Sequence, residues 1–154
     1  NYNSNYKYNQ NSEIMREIRY RGIGIAERKW VFGSLWFDTR DGVTLIWSEE
    51  LKYWVRVDPA TVGQYTGLKD EHGKEIYEGD VIRSPLSEDK TRPHRIFYHT
   101  GNAAFMGALV DRKELCYLRL DQDWIYKFGK EVIGNIHDNP ELIEKQTAER
   151  HKTN

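Results

Sequence analysis

From residue 14 the chain alternates apolar and polar positions in short bursts. Ile14, Arg16, Ile18 and Tyr20 share one face of an extended segment, and Glu17, Arg19 and Arg21 share the other. Gly22 and Gly24 interrupt that run. A second run spans residues 30–37 and is broken at Gly33-Ser34; Asp41-Gly42 follows as a tight-turn dipeptide. Val43, Leu45 and Trp47 then alternate with Thr44 and Ile46, and Tyr53, Val55 and Val57 with Trp54 and Arg56. A period of two predicts strands, so residues 15–57 read as an aromatic β-meander.

Asp58-Pro59 breaks the pattern, because proline fixes φ, lacks an N–H and pushes the residue before it into an extended conformation. Beyond it, residues 62–68 read as a strand interrupted by Gly63 and Gly67. Residues 70–73, Asp-Glu-His-Gly, predict a type I turn closed by a glycine at positive φ. Gly79 predicts a corner at which the chain bends and changes sheets before residues 80–82. Residues 83–94 read as a polar loop, 95–99, 103–110, 115–120 and 131–136 as strands, and 121–128 as the interval between the last two. A short helix is expected at the end: Asp138 or Asn139 caps it, Pro140 takes its first position, and Leu142 and Ile143 dock it.

Composition supports the β reading. Aromatic residues make up 13% of the 154-residue chain, and rings fit pleated surfaces. The length suits one domain, with room for two lobes. The formal net charge of −1 gives no basic excess of the kind a general nucleic-acid binder carries. A single cysteine, Cys116, allows no intrachain disulfide and fits a reducing cytoplasm. No apolar run approaches membrane-spanning length. Residues 1–14 are rich in Asn, Tyr and Ser, have no period, and read as a disordered extension or non-native tail, with Met15 as a candidate start.

Candidate chemistry is sparse. Glu78 and Asp80, two apart, would share a strand face and offer a carboxylate pair for a divalent ion or acid–base work; the glycine between them argues instead for a polar turn leading into a strand. Asp121 and Asp123 lack the glycine and distal glutamate of a calcium loop. His94 and His99 fall on opposite strand faces, and His72 and His137 sit at turns, so no metal set is read. Cys116 alternates with Leu118 and Leu120 as a small buried hydrophobe. The glycines match no phosphate-binding loop. The cations Arg16, Arg19, Arg21, Arg28 and Lys29, with Trp30 beside them, form a candidate nucleic-acid contact in which charges track phosphates and rings stack on bases.

Three stretches carry a family resemblance. Residues 57–70 and 73–82 contain Asp58, Pro59, Gly63, Gln64, Tyr65, Gly67, Gly73, Gly79 and Asp80, and resemble the central signature of the YopX family. Gly134, Asn135 and Pro140 belong to a stretch similar to its closing motif, and residues 15–21 to its opening. After Arg21 the chain departs from the family's usual Ala-Trp-Asp, and residues 85–128 match no family motif. The resemblance implies a mainly β fold, an SH3-like small barrel with an additional N-terminal β lobe, here placed over 58–144 and 15–57; the short C-terminal helix read above follows, and the polar residues 145–154 read as a frayed tail. It implies motif residues with structural duty, homo-oligomers, and genes carried by phages and prophages. With no catalytic constellation in view, the expected function is non-enzymatic. The protein is read as an accessory protein of the bacterial cytoplasm that needs no cofactor, does not enter a membrane, and binds a phage or host protein. The alternative is a nucleic-acid-binding module using the arginine-rich first strand.

Overall fold

The computed structural model describes residues 16–85, 93–110 and 117–143. The expected tail at 1–14, Met15, most of the polar loop, Leu115 and Cys116, and the tail at 145–154 lie outside these residues. The described chain is mainly β, in two antiparallel sheets.

The first sheet holds β1 (Tyr20–Ile23), β2 (Trp30–Phe37), β3 (Thr44–Ser48), β4 (Trp54–Arg56), β5 (Gly63–Lys69) and β6 (Glu75–Tyr77), in the order β4-β3-β2-β1-β5-β6. The second holds β7 (Asp80–Arg83), β8 (His94–His99), β9 (Ala104–Leu109), β10 (Tyr117–Arg119) and β11 (Glu131–Asn135), in the order β10-β9-β8-β7-β11. The chain changes sheets at Gly79, whose φ of 83° costs a residue without a side chain nothing.

Two apolar cores divide the molecule. Val31, Ile46 and Val57 centre the first, with Tyr20, Leu35, Val55 and Val62 around them. Ile76, Ile82, Ile96, Leu120 and Ile125 form the second. Each buried side chain of this kind stabilises the fold by about 1.5–3 kcal/mol. The backbone ladder, by contrast, runs across Asp58-Pro59: β5 pairs with β1, and β6 joins the same sheet through β5. Pairing with β1 at Tyr20–Gln64 and Arg21–Gly63 draws them there.

Among the described residues the sheets close into no barrel. The first does curl: Gly24 bridges Val57, the Ile25 N–H donates to the Arg56 carbonyl, and the Asp58 N–H to that of Ile23. The outer edge of β4 is thereby partly satisfied by the end of β1, which spares the sheet an open edge there.

Three local expectations change. The first strand begins only at Tyr20, and Gly22 lies within it, because a Cβ there would press on Val57 and Ile46 at 3.1–3.2 Å. Of the strand expected at 115–120, the described residues form β10 (Tyr117–Arg119), with Leu120 beyond its end. The interval at 121–128 contains a helix, α1 (Gln122–Lys127), capped by the Asp121 carboxylate, which accepts from the Trp124 N–H at 2.8 Å. Residues 141–143 are helical as expected, with the Leu142 and Ile143 N–H groups donating to Asn139 and Pro140 carbonyls.

Candidate functional site

The motif residues converge on the seam between the sheets. Arg21 (7% exposed) turns inward from β1, and its Nη2 lies 2.7 Å from the Asp80 carboxylate (1% exposed) at the start of β7. Asp80 also accepts from the Tyr77 N–H at 2.8 Å. Burial lifts the Asp80 carboxyl above its ordinary range; Arg21 and the Tyr77 N–H pull it partly back. The guanidinium donates to the Glu78 carbonyl at 3.1 Å and lies 4.7 Å from the Trp30 ring centre and 5.0 Å from that of Tyr77.

The closing motif seals this seam. Asn135 accepts from the His137 and Asp138 N–H groups through its side-chain oxygen and donates to the Asp138 carboxylate, which also accepts from the Trp30 indole at 2.7 Å. Gly134 leaves room for Asn139, whose Oδ1 would sit 2.3 Å from a Cβ. Burial, and then the charge of Arg21, depress the His137 pKa. A histidine lowered on folding contributes stability that is complete above the unfolded pKa and is lost as pH falls through the folded one. Between pH 7.5 and 5.5 the urea midpoint of the wild type therefore falls more steeply than that of His137→Gln; parallel profiles would refute this.

The remaining motif positions have backbone duties. The Asp58 carboxylate caps a 3-10 turn that begins at Pro59, accepting from the Ala60 N–H. Gly63 lets the Glu78 carbonyl approach; a Cβ there would lie 2.6 Å from it. The Glu78 carboxylate accepts from the Gln64 N–H at 3.0 Å, so the two acids read as a candidate pair hold two different backbone groups. Tyr65 is buried against the Tyr77 ring, with Arg19 over its face. Gly67 sits in the β5 bulge and Gly73 ends the predicted turn, which Asp70 ties to β11 through the Val132 N–H.

The candidate nucleic-acid contact does not stay together. Arg21 is consumed in the seam, and Arg19 is paired with Glu75 and Glu17. Trp30 is half-buried beneath Arg21 and His137. Arg16, Arg28 and Lys29 face solvent, and Lys29 lies 3.8 Å from Glu27. Among the histidines, His94 packs edge-on against Trp124, and the His99 ring accepts from the Asn102 N–H. His72 lies 3.3 Å from Glu71 and 3.5 Å from Glu131, a grouping the sequence did not suggest; the Arg83 guanidinium, 3.5 Å from Glu131, competes for the same carboxylate.

What the structure adds is a surface. Register places Trp30, Phe32, Ser34 and Trp36 of β2 on the same face as Leu45 and Trp47 of β3 and Trp54 and Arg56 of β4. Four of the five tryptophans thus lie on the outer face of one sheet. The seam meets one end, where Phe32, itself still exposed, lies edge-on to Tyr77 and Trp30 meets His137. The other end is open: Trp36 is 45% exposed and Trp54 46% exposed, the latter edge-on to Trp47 at 5.6 Å.

Beside this face a cleft of about 580 Å³ opens between the β1–β2 turn and the β3–β4 turn. Val31 and Val55 reach it from the core, and Ile25, Leu51, Tyr53 and Trp54 line it. Period-two reading finds the tryptophans but not this cleft, whose walls come from turn residues with no periodicity.

No helix among the described residues is long and apolar enough to cross a membrane. Among solved structures, the chain is similar to a protein from Enterococcus faecalis, EF1440, at 25% identity and a TM-score of 0.55, over 83% of this chain and 99% of that one. No curated protein matches it. The family model of the YopX protein matches residues 2–144, nearly the whole length, and the chain belongs to that family.

Proposed function

We propose that the protein acts by binding rather than by catalysis: a phage or prophage accessory protein of the bacterial cytoplasm that self-associates and engages a protein partner through the outer face of its first sheet. The observation behind this reading is the row of tryptophans left open at Trp36, Leu45, Trp47 and Trp54. Contiguous apolar surface of this kind marks contact sites, and tryptophan is enriched among the residues that dominate contact energies. The acids that might have served chemistry hold backbone groups or Arg21 instead.

The SH3-like barrel belongs to the same reading. Its support is the curl that brings Gly24 against Val57, in the N-terminal half rather than in residues 58–144. Nothing in the placement of the cations favours nucleic acid, since Arg19 and Arg21 are spent on internal carboxylates.

Size-exclusion chromatography with light scattering tests the reading. The wild type elutes as an oligomer, and Trp36→Ser shifts it at least about tenfold towards monomer at equal concentration, as loss of a central aromatic contact of about 2 kcal/mol would. A wild type that stays monomeric at high concentration would overturn self-association.

A further inference from the structure

We infer that the cleft between the β1–β2 and β3–β4 turns seats a short segment of the partner protein in which a large apolar side chain is flanked by basic residues. The inference rests on the reading that this protein binds a protein partner, and it names the chemistry of that partner.

Size comes first. A volume of about 580 Å³ lies within the range of about 300–1,000 Å³ in which proteins hold small ligands and side chains. Ile25, Phe32, Leu51, Tyr53 and Trp54 are all exposed and all border this one concavity. Single exposed apolar residues are ordinary, whereas five around one hollow leave a continuous apolar surface in water.

Polarity narrows the class. Several backbone groups along the walls are already engaged. Ser48 Oγ accepts from the Leu51 N–H at 3.0 Å, and the Ser48 carbonyl accepts from the Lys52 N–H at 2.8 Å. The Gly24 N–H donates to the Lys29 carbonyl and the Ile25 N–H to that of Arg56. A polar metabolite is oriented by several convergent donors and acceptors; here the backbone offers few beside the Tyr53 hydroxyl and the Trp54 indole, and shape and charge weigh more.

Charge selects the sign. The walls carry Glu27, Glu49 and Glu50 against Lys29 and Arg56. Glu27 and Lys29 lie 3.8 Å apart and largely neutralise one another. That leaves Glu49 and Glu50, adjacent on the β3–β4 turn, against Arg56 alone. The ring faces of Tyr53 and Trp54 add their own attraction for a cation. An apolar side chain with lysine or arginine beside it satisfies floor and rim together.

The test titrates the full-length chain, labelled with nitrogen-15, with two blocked peptides, Gly-Lys-Trp-Leu-Lys-Gly and Gly-Glu-Trp-Leu-Glu-Gly. The basic peptide shifts amide signals around Ile25, Leu51 and Trp54, and binds at least about fivefold tighter than the acidic one, as two rim charges of about 0.5–1 kcal/mol each give. Glu49→Lys with Glu50→Lys reverses that order. Leu51→Arg, an exposed position that the fold tolerates, removes saturable binding. Equal affinity for the two peptides, shifts away from the cleft, or no saturation at millimolar peptide each overturns the inference. If Trp36→Ser still dissociates the oligomer while the peptides fail, the cleft assignment falls alone; if neither responds, the binding reading falls with it.

Discussion

Asp80→Ala lowers stability by about 3–5 kcal/mol, read from urea unfolding at neutral pH. The loss comes from what stays behind. Arg21 is 7% exposed, and without the carboxylate its charge keeps only the Glu78 carbonyl and the faces of Trp30 and Tyr77. The Tyr77 N–H loses its acceptor as well. Asp80→Asn costs less, because the amide oxygen still accepts from Tyr77, but it leaves Arg21 uncompensated.

The direction of the Asp80 pKa makes the argument sharper. Burial raises it above the unfolded value, so between those two values stability falls as pH rises, and the charged form of the carboxylate is held at a net desolvation cost. An ion pair can be a poor source of stability and still be costly to break, since desolvation has been met for both partners together. It follows that Arg21→Met combined with Asp80→Leu recovers much of what either change alone loses. The coupling appears in a double-mutant cycle. A loss below about 1 kcal/mol for Asp80→Ala would place the pair among solvent-screened surface bridges and refute its role as the seam.

This seam also shows where sequence was informative. Gly79 was readable as a corner because no other residue takes φ near 83° at so little cost, and the turn closed by Gly73 was readable for the same reason. The alternation in β2 to β4 was readable as strands. The buried face was not, since Thr44 and Ser48 point into the core beside Ile46 while Trp47 points out. Hydropathy alone would have turned those strands over. Arg21 looked like one of several surface cations, because nothing local distinguishes it; its partner lies 59 positions along the chain, and only the β1–β5 pairing and the corner at Gly79 bring the two together. The helix at Gln122–Lys127 was missed because six residues carry less than two turns of periodicity, although Asp121, ahead of the Trp124 N–H it accepts, is a legible cap.

Gly33→Ala is expected to cost about 3–5 kcal/mol, combining an overpacked backbone contact with an unfavourable φ. Gly33 sits in the middle of β2, where a Cβ would lie 1.8 Å from the Trp47 carbonyl oxygen and 3.0 Å from its carbon. A flexible side chain could swing aside; a backbone carbonyl moves only with its strand. Gly33 pairs with Tyr20 on one side and Ser48 on the other, so β1 and β3 both feel the shift. The control is Gly42→Ala. Gly42 has a φ of 70° but nothing within 4 Å of a Cβ, so it carries the conformational cost alone, about 1 kcal/mol. The difference between the two urea midpoints isolates the steric part, and a difference below about 1 kcal/mol would mean that β2 and β3 are not packed as closely as this. A second consequence ties the glycine to the surface. Trp47 is anchored through that same peptide unit and meets Trp54 edge-on, so displacing its carbonyl disturbs the tryptophan row. Gly33→Ala should therefore weaken self-association even under conditions where the variant remains folded, whereas Gly42→Ala, whose added Cβ meets nothing within 4 Å and displaces no strand of that row, should leave it unchanged.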